Sequence, residues 1–239
     1  MKRRVFGERR VTSAAAIAPE ARGRSRLTSP SVETLDLYLQ NLASAEAIPG
    51  GGSAAALVAS AGAALVGMVA RICERNPKYA EYASTSREAV AASDELRRRL
   101  LAARERDERA FGAVVAAQDL PKETAEQRAL RGVALETALQ RAAEEPLETA
   151  ALALDVVRLS ERVAQIPNKN LASDVGCAAE FGAAALAACG YNVRVNHRYM
   201  RDERAIAHQA ETFERYEGAA AEALSRVRAA VGTALRRSL

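Results

Sequence analysis

Eighteen consecutive residues, Ser53–Ala70, carry no charge and consist almost wholly of Ala, Gly, Ser and Val, with only Leu57, Leu65 and Met68 larger. A helix this bald lets neighbouring backbones approach closely, which predicts a place at the centre of a bundle or at a subunit interface. Pro49-Gly50-Gly51-Gly52 precedes it and breaks the chain, and Ser53 is expected to cap the helix. The length would suit a membrane span. Ala, Gly and Ser partition weakly into lipid, however, and a single such segment reads as a buried core helix, so no membrane partner is expected.

The rest of the chain points the same way. Apolar residues make up 49% of the sequence but aromatics only 4%, so the volume is filled by Ala, Leu and Val. Ala, Leu, Arg and Glu favour helices, and alternating β-branched runs are nearly absent. The expected fold is all-α, a single-domain helical bundle with a central Ala/Gly-rich helix. Its 239 residues suffice for one core.

The net charge of +4 is unevenly placed. Lys2, Arg3, Arg4, Arg9, Arg10, Arg22, Arg24 and Arg26 face only Glu8 and Glu20 within residues 1–30, which leaves the remainder slightly acidic. Residues 1–30 therefore read as a basic, disordered tail and 31–239 as the domain, and nucleic acid is not an expected partner. Cys73, Cys177 and Cys189 lack metal-ligand spacing, and no secretory pattern is visible. Both features fit a reducing, cytoplasmic setting.

Periodicity and punctuation predict helices over about 32–44, with a stripe of Leu35, Leu39 and Leu42 capped by Ser31, and over 53–74 and 77–118. Further helices are expected from Pro121 to Glu145, from Pro146 to Val163, from Asn170 to Ala188 with Gly190 ending it, and over 193–237.

Several residue groups could carry chemistry. The triple glycine can bring backbone N–H groups close to a ligand, but no strand precedes it and no P-loop Lys-Ser/Thr follows, so neither a P-loop nor a dinucleotide fold is supported. His197 and His208, expected on one helix, would lie about 16 Å apart, too far to share a metal. No metal site is expected. Asp107 sits in the charged run Arg104–Arg109, yet one turn before Phe111, on a face that turns apolar. A carboxylate there can be partly buried with a raised pKa, as proton transfer near neutrality requires. Ser173 and Asp174 fall in the first turn of a helix, where capping is their plain reading. Asn192 and Asn196, four apart, project together and offer donors and acceptors suited to a heterocycle.

Pro49-Gly50-Gly51-Gly52-Ser53, Asp107-x-x-Ala110-Phe111, Leu120-Pro121-Lys122, Ser173-Asp174 and Asn192-Val193-x-x-Asn196 stand in this order and at spacings that resemble one known domain. From about Ser31 onward the chain resembles the formimidoyltetrahydrofolate cyclodeaminase and methenyltetrahydrofolate cyclohydrolase family. The resemblance implies an all-α homodimer whose pocket binds the pterin end of a reduced folate, with no cofactor beyond the tetrahydrofolate derivative that is itself the substrate. It implies Asp107 as the catalytic carboxylate. It further implies Gly50, Gly51, Gly52 and Ser53 as a wall of the pocket, and Lys122, Ser173, Asp174, Asn192 and Asn196 as substrate-binding positions. The chain departs from the family pattern in the polar stretch Cys73–Tyr79 and at His197, where an aliphatic residue is common.

The implied activity is either deamination of 5-formimidoyltetrahydrofolate or hydrolysis of 5,10-methenyltetrahydrofolate by metal-free acid–base catalysis. The absence of a fused formiminotransferase domain leans slightly towards the hydrolase, or towards a separate partner that supplies the formimidoyl substrate. The alternative is a non-catalytic helical interaction protein on the same scaffold, which failure to bind tetrahydrofolate would favour. A nucleic-acid binder working through the tail is the third class, marked by salt-dependent binding lost on removing residues 1–30.

Overall fold

The computed structural model describes residues 33–236; the basic tail and the Ser31 cap lie outside the described residues. Among these are six α-helices and no strand: α1 (Leu35–Leu42), α2 (Gly51–Arg75), α3 (Ala83–Gln118), α4 (Ala125–Val163), α5 (Ala172–His197) and α6 (Glu203–Leu235). Pro77–Tyr82 and Lys169–Leu171 form 3-10 turns that lead into α3 and α5. The all-α expectation holds.

The bald helix is central. α2 packs on α3, α4 and α5, while α6 closes over α4 and α5. At the α2–α5 crossing, a Cβ on Gly62 would stand 2.9 Å from the Ala178 carbonyl oxygen, so only glycine fits there. The core is accordingly a mesh of small residues: Ala56, Ala59, Ala63, Val66, Ala153, Val156, Val157, Ala178 and Ala179 are all fully buried.

Several boundaries differ from the sequence-based reading. α1 is anchored not by its leucines, of which Leu35 and Leu39 are exposed, but by Tyr38, which is buried and hydrogen-bonded to Ser53. α2 begins at Gly51, with Gly50 as its N-cap and no side-chain cap, so Ser53 is not the cap. No described glycine has positive φ, so none is needed for a left-handed turn, and of Gly50, Gly51 and Gly52 only Gly52 faces a neighbour too close for a Cβ. Pro121 lies in the loop before α4, which starts under a reciprocal capping box of Thr124 and Gln127.

The two helices expected on either side of Pro146 are one, α4, with the proline inside it. α5 likewise runs through Gly190 to His197; glycine at 190 leaves room for the Phe213 ring, whose Cζ would stand 2.5 Å from a Cβ there. His197 and His208 therefore sit on different helices; His197 Nε2 pairs with Gln209 Oε1 at 2.8 Å and ties α5 to α6. By length and composition, α2 is joined by Lys169–His197 as a second segment able to cross a membrane, so the apolar run is not single.

Candidate active site

The first turn of any helix leaves backbone N–H groups without intrahelical partners. In α2 the N-cap is Gly50, which has no side chain to offer. The partner comes from α3 instead: the Asp107 carboxylate accepts the backbone N–H of Ser53. This approach requires glycine at 52, where a Cβ would stand 2.6 Å from Asp107 Cγ. Gly52 thus makes room for an acid.

Docking there removes Asp107 from water. Burial pushes its pKa up to about 6, and the negative charges of Glu108 and Glu145 add to the rise, while the Ser53 N–H opposes it. Desolvation wins over the hydrogen bond. Glu145 is 2% exposed and held by Arg106 Nε at 2.8 Å and Arg141 Nη2 at 2.6 Å. On the next helical position Glu108 accepts a 2.6 Å hydrogen bond from Ser53 Oγ, which in turn accepts from the Tyr38 hydroxyl at 2.9 Å. Behind Asp107, the buried Cys189 thiol is pushed up to about 12 by burial and by the neighbouring carboxylate, so it stays protonated and inert.

Asp107 opens into a cavity of about 210 Å³ whose walls are Gly50, Gly51 and Gly52 of the α2 start, Ile48 of the preceding loop, Glu108 and Phe111 of α3, Ala142 of α4, and Asn192, Val195 and Asn196 of α5. The lining is mostly apolar with a few convergent polar groups, the usual character of a small-molecule site. Asn192 stands against Gly51 and donates one amide hydrogen to the Ala188 carbonyl at 2.9 Å. Asn196 donates to the carbonyls of Ala142 at 2.9 Å and Asn192 at 2.8 Å.

Of the sequence-predicted positions, the structure gathers Gly50, Gly51, Gly52, Asp107, Asn192 and Asn196 around this cavity, with Ser53 directly behind it. Three positions do not join them. Ser173 and Asp174 occupy the first turn of α5, and because that helix is continuous they lie about 27 Å from Asn192 in the same chain. Lys122 is exposed in the loop before α4, lining a second cavity of about 310 Å³ with Arg128, Arg131 and Arg201. The polar stretch Cys73–Tyr79 lies at the far end of α2 from the site. Sequence reasoning passed over Glu108, Glu145, Ala142 and Pro146.

Comparison with known proteins decides what kind of domain this is. Residues 34–215, more than half of the chain, match the family model described as formiminotransferase-cyclodeaminase. The chain belongs to that family. A methenyltetrahydrofolate cyclohydrolase of Methylorubrum extorquens is 38% identical over 191 residues, covering 80% of this chain and 90% of that protein. The formimidoyltransferase-cyclodeaminase of Rattus norvegicus is 31% identical over 71% of this chain, which spans only 31% of the rat protein. The crystal structure of formiminotetrahydrofolate cyclodeaminase from Thermotoga maritima superposes with a TM-score of 0.77 at 26% identity, covering 84% of this chain and 97% of that one. Among the described residues of this family member, no three His, Cys, Asp or Glu side chains stand together as a metal-binding group.

Proposed function

We propose that this protein is a one-carbon enzyme of reduced folates that hydrolyses 5,10-methenyltetrahydrofolate to 10-formyltetrahydrofolate, with Asp107 as its proton shuttle. The observation that carries this reading is the Asp107 carboxylate, half-buried over the start of α2 with its pKa pushed up to about 6 and open to a mostly apolar cavity. A group at that pKa is ionised near pH 7 yet still basic enough to take a proton and return it, as general base catalysis requires.

In the proposed reaction, water adds to the amidinium carbon while Asp107 removes its proton. The carbon–N5 bond then breaks as N5 takes the proton held by Asp107, the new hydroxyl loses its own proton to become the formyl oxygen, and the formyl group stays on N10. The methenyl carbon is cationic, and the acidic end of the cavity, Asp107 with Glu108 beside it, suits positive charge. Asn192 and Asn196 orient the pterin. The Lys122 cavity begins at Leu139 on α4, within about 5 Å of rise from Ala142, and its three arginines suit the carboxylates at the other end of a folate. The enzyme needs no cofactor beyond its substrate.

The resemblance to the Thermotoga cyclodeaminase favours a second reaction at the same site, in which N10 attacks the formimidoyl carbon and ammonia leaves. There Asp107 takes the N10 proton and delivers one to the leaving group. We further propose a cytoplasmic homodimer. Exposed apolar residues run along α2 (Val58, Met68, Ile72) and continue onto Phe181 of α5, whose Cβ lies against Gly62. A continuous apolar stripe across two helices calls for a partner surface.

The test sets methenyltetrahydrofolate loss, followed by absorbance, beside ammonia release from the formimidoyl substrate. Wild-type protein is expected to turn over at least the methenyl compound. Asp107→Asn should lower kcat by about 10²–10⁴-fold while keeping folate binding; a fully active variant sinks the assignment.

A further inference from the structure

Proline in a helix interior has no N–H for the carbonyl four residues back, and its ring presses against that carbonyl. Pro146, fully buried within α4, leaves the Ala142 carbonyl in this position. That oxygen is the one that accepts from Asn196 Nδ2, at 2.9 Å. The second amide hydrogen of Asn196 goes to the Asn192 carbonyl at 2.8 Å. Two carbonyl oxygens on the same side fix which end of the amide is nitrogen, because the flipped orientation would set oxygen against both.

We infer that Pro146 is a positioning residue of the active site: by withholding its N–H it hands the Ala142 carbonyl to Asn196, whose side chain then meets the ligand as an acceptor only. Both Asn196 hydrogens are spent, so only Oδ1 remains. Asn192 differs, since it gives one hydrogen to Ala188 and keeps the other together with its own Oδ1. The cavity therefore demands an N–H or O–H opposite Asn196 and rejects an acceptor there, because two facing oxygens would both lose their partners on desolvation. On the folate reading above, on which the kinetic consequence rests, the amino-pyrimidinone edge of the pterin supplies such N–H groups. With alanine at 146 the helical bond to the Ala142 carbonyl can form, the carbonyl turns back into α4, and Asn196 loses its clamp.

The experiment compares wild type, P146A, N196A and the P146A/N196A double variant. P146A removes a helix-unfavourable residue and is expected to fold. In 15N-labelled protein the Asn196 side-chain amide, assigned by its loss in N196A, is expected to exchange with solvent about tenfold faster in P146A than in wild type. KM for the methenyl substrate should rise about fivefold to tenfold in P146A, with a smaller change in kcat. Added to N196A, the proline substitution should change KM no further. Equal exchange in wild type and P146A, or the same KM penalty for P146A in both backgrounds, overturns the inference. Wild-type protein that turns over neither folate overturns the functional reading instead, and the exchange comparison then still decides the clamp.

Discussion

Asp107 carries a cost for the fold that grows as the carboxyl ionises. In the unfolded chain it ionises as an ordinary carboxylate, near 4; in the folded protein burial pushes it up to about 6. The folded state thus holds this proton more tightly, so stability from Asp107 is complete below pH 4 and is lost as pH rises through about 6. Asp107→Asn, which keeps an acceptor for the Ser53 N–H, should therefore be more stable than wild type at pH 8 by about 1–3 kcal/mol. The gain should vanish by pH 4, as denaturant titrations at the two pH values can check. With Asp107 as the proposed base, kcat/KM should rise with pH through about 6 and flatten above. A profile flat from pH 5 to 8 would remove Asp107 as the base. Phe111, one turn on, made this burial legible in the sequence. Glu145 was not legible, since nothing in a run of charges marks the one carboxylate that two arginines will bury.

At the scale of the element, glycines with similar chemistry do unlike work. Gly52 and Gly62 share α2, and each faces a neighbour too close for a Cβ. At 62 the neighbour is backbone, the Ala178 carbonyl, which cannot step aside. Gly62→Ala should therefore cost about 1–3 kcal/mol through overpacking, against a helix-propensity gain of about 1. Its thermal midpoint should fall by a few degrees, with kinetic constants kept at 25 °C. At 52 the neighbour is the Asp107 side chain, which can rotate away. Gly52→Ala should keep or raise the melting temperature and lose about 10²-fold in kcat, because the base leaves its place. A stable, fully active Gly52→Ala would mean that Asp107 does not need its seat on α2. The glycine run itself was plain in the sequence, whereas its purpose needed α3 to be placed against it. Pro146 shows the converse. It reads as a helix start, yet Ala143-Glu144-Glu145 before it lacks the Ser, Thr, Asp or Asn of a cap, a signal that the helix continues. A proline in mid-helix costs about 3 kcal/mol, and such a cost is accepted where the freed carbonyl has another partner.

For the whole molecule, one face is left to explain. α2 reads as a core helix from its baldness, and the structure buries most of it. Its outward side nevertheless stays apolar, with Val58, Met68 and Ile72 exposed, and α5 adds Phe181, Tyr191 and Val195. Baldness therefore accounts for the bundle centre, while the interface reading rests on this outward apolar side and on the dimer proposed above. Val195 belongs to this exposed face and also lines the Asp107 cavity, so an occupant of the face would border the substrate. A second copy of the chain is the occupant proposed above, and isologous pairing would double every contact of the stripe. Met68→Glu and Phe181→Glu place charges in the middle of the face, and both side chains are already exposed in the single chain. Each variant should fold, yet sediment as a monomer at micromolar concentration where wild type sediments as a dimer. Because these two positions lie away from the cavity lining, any loss of activity in the variants would be assigned to the missing partner rather than to the site. Wild-type protein that is monomeric throughout would leave α2 and α5 with an apolar face for some other surface.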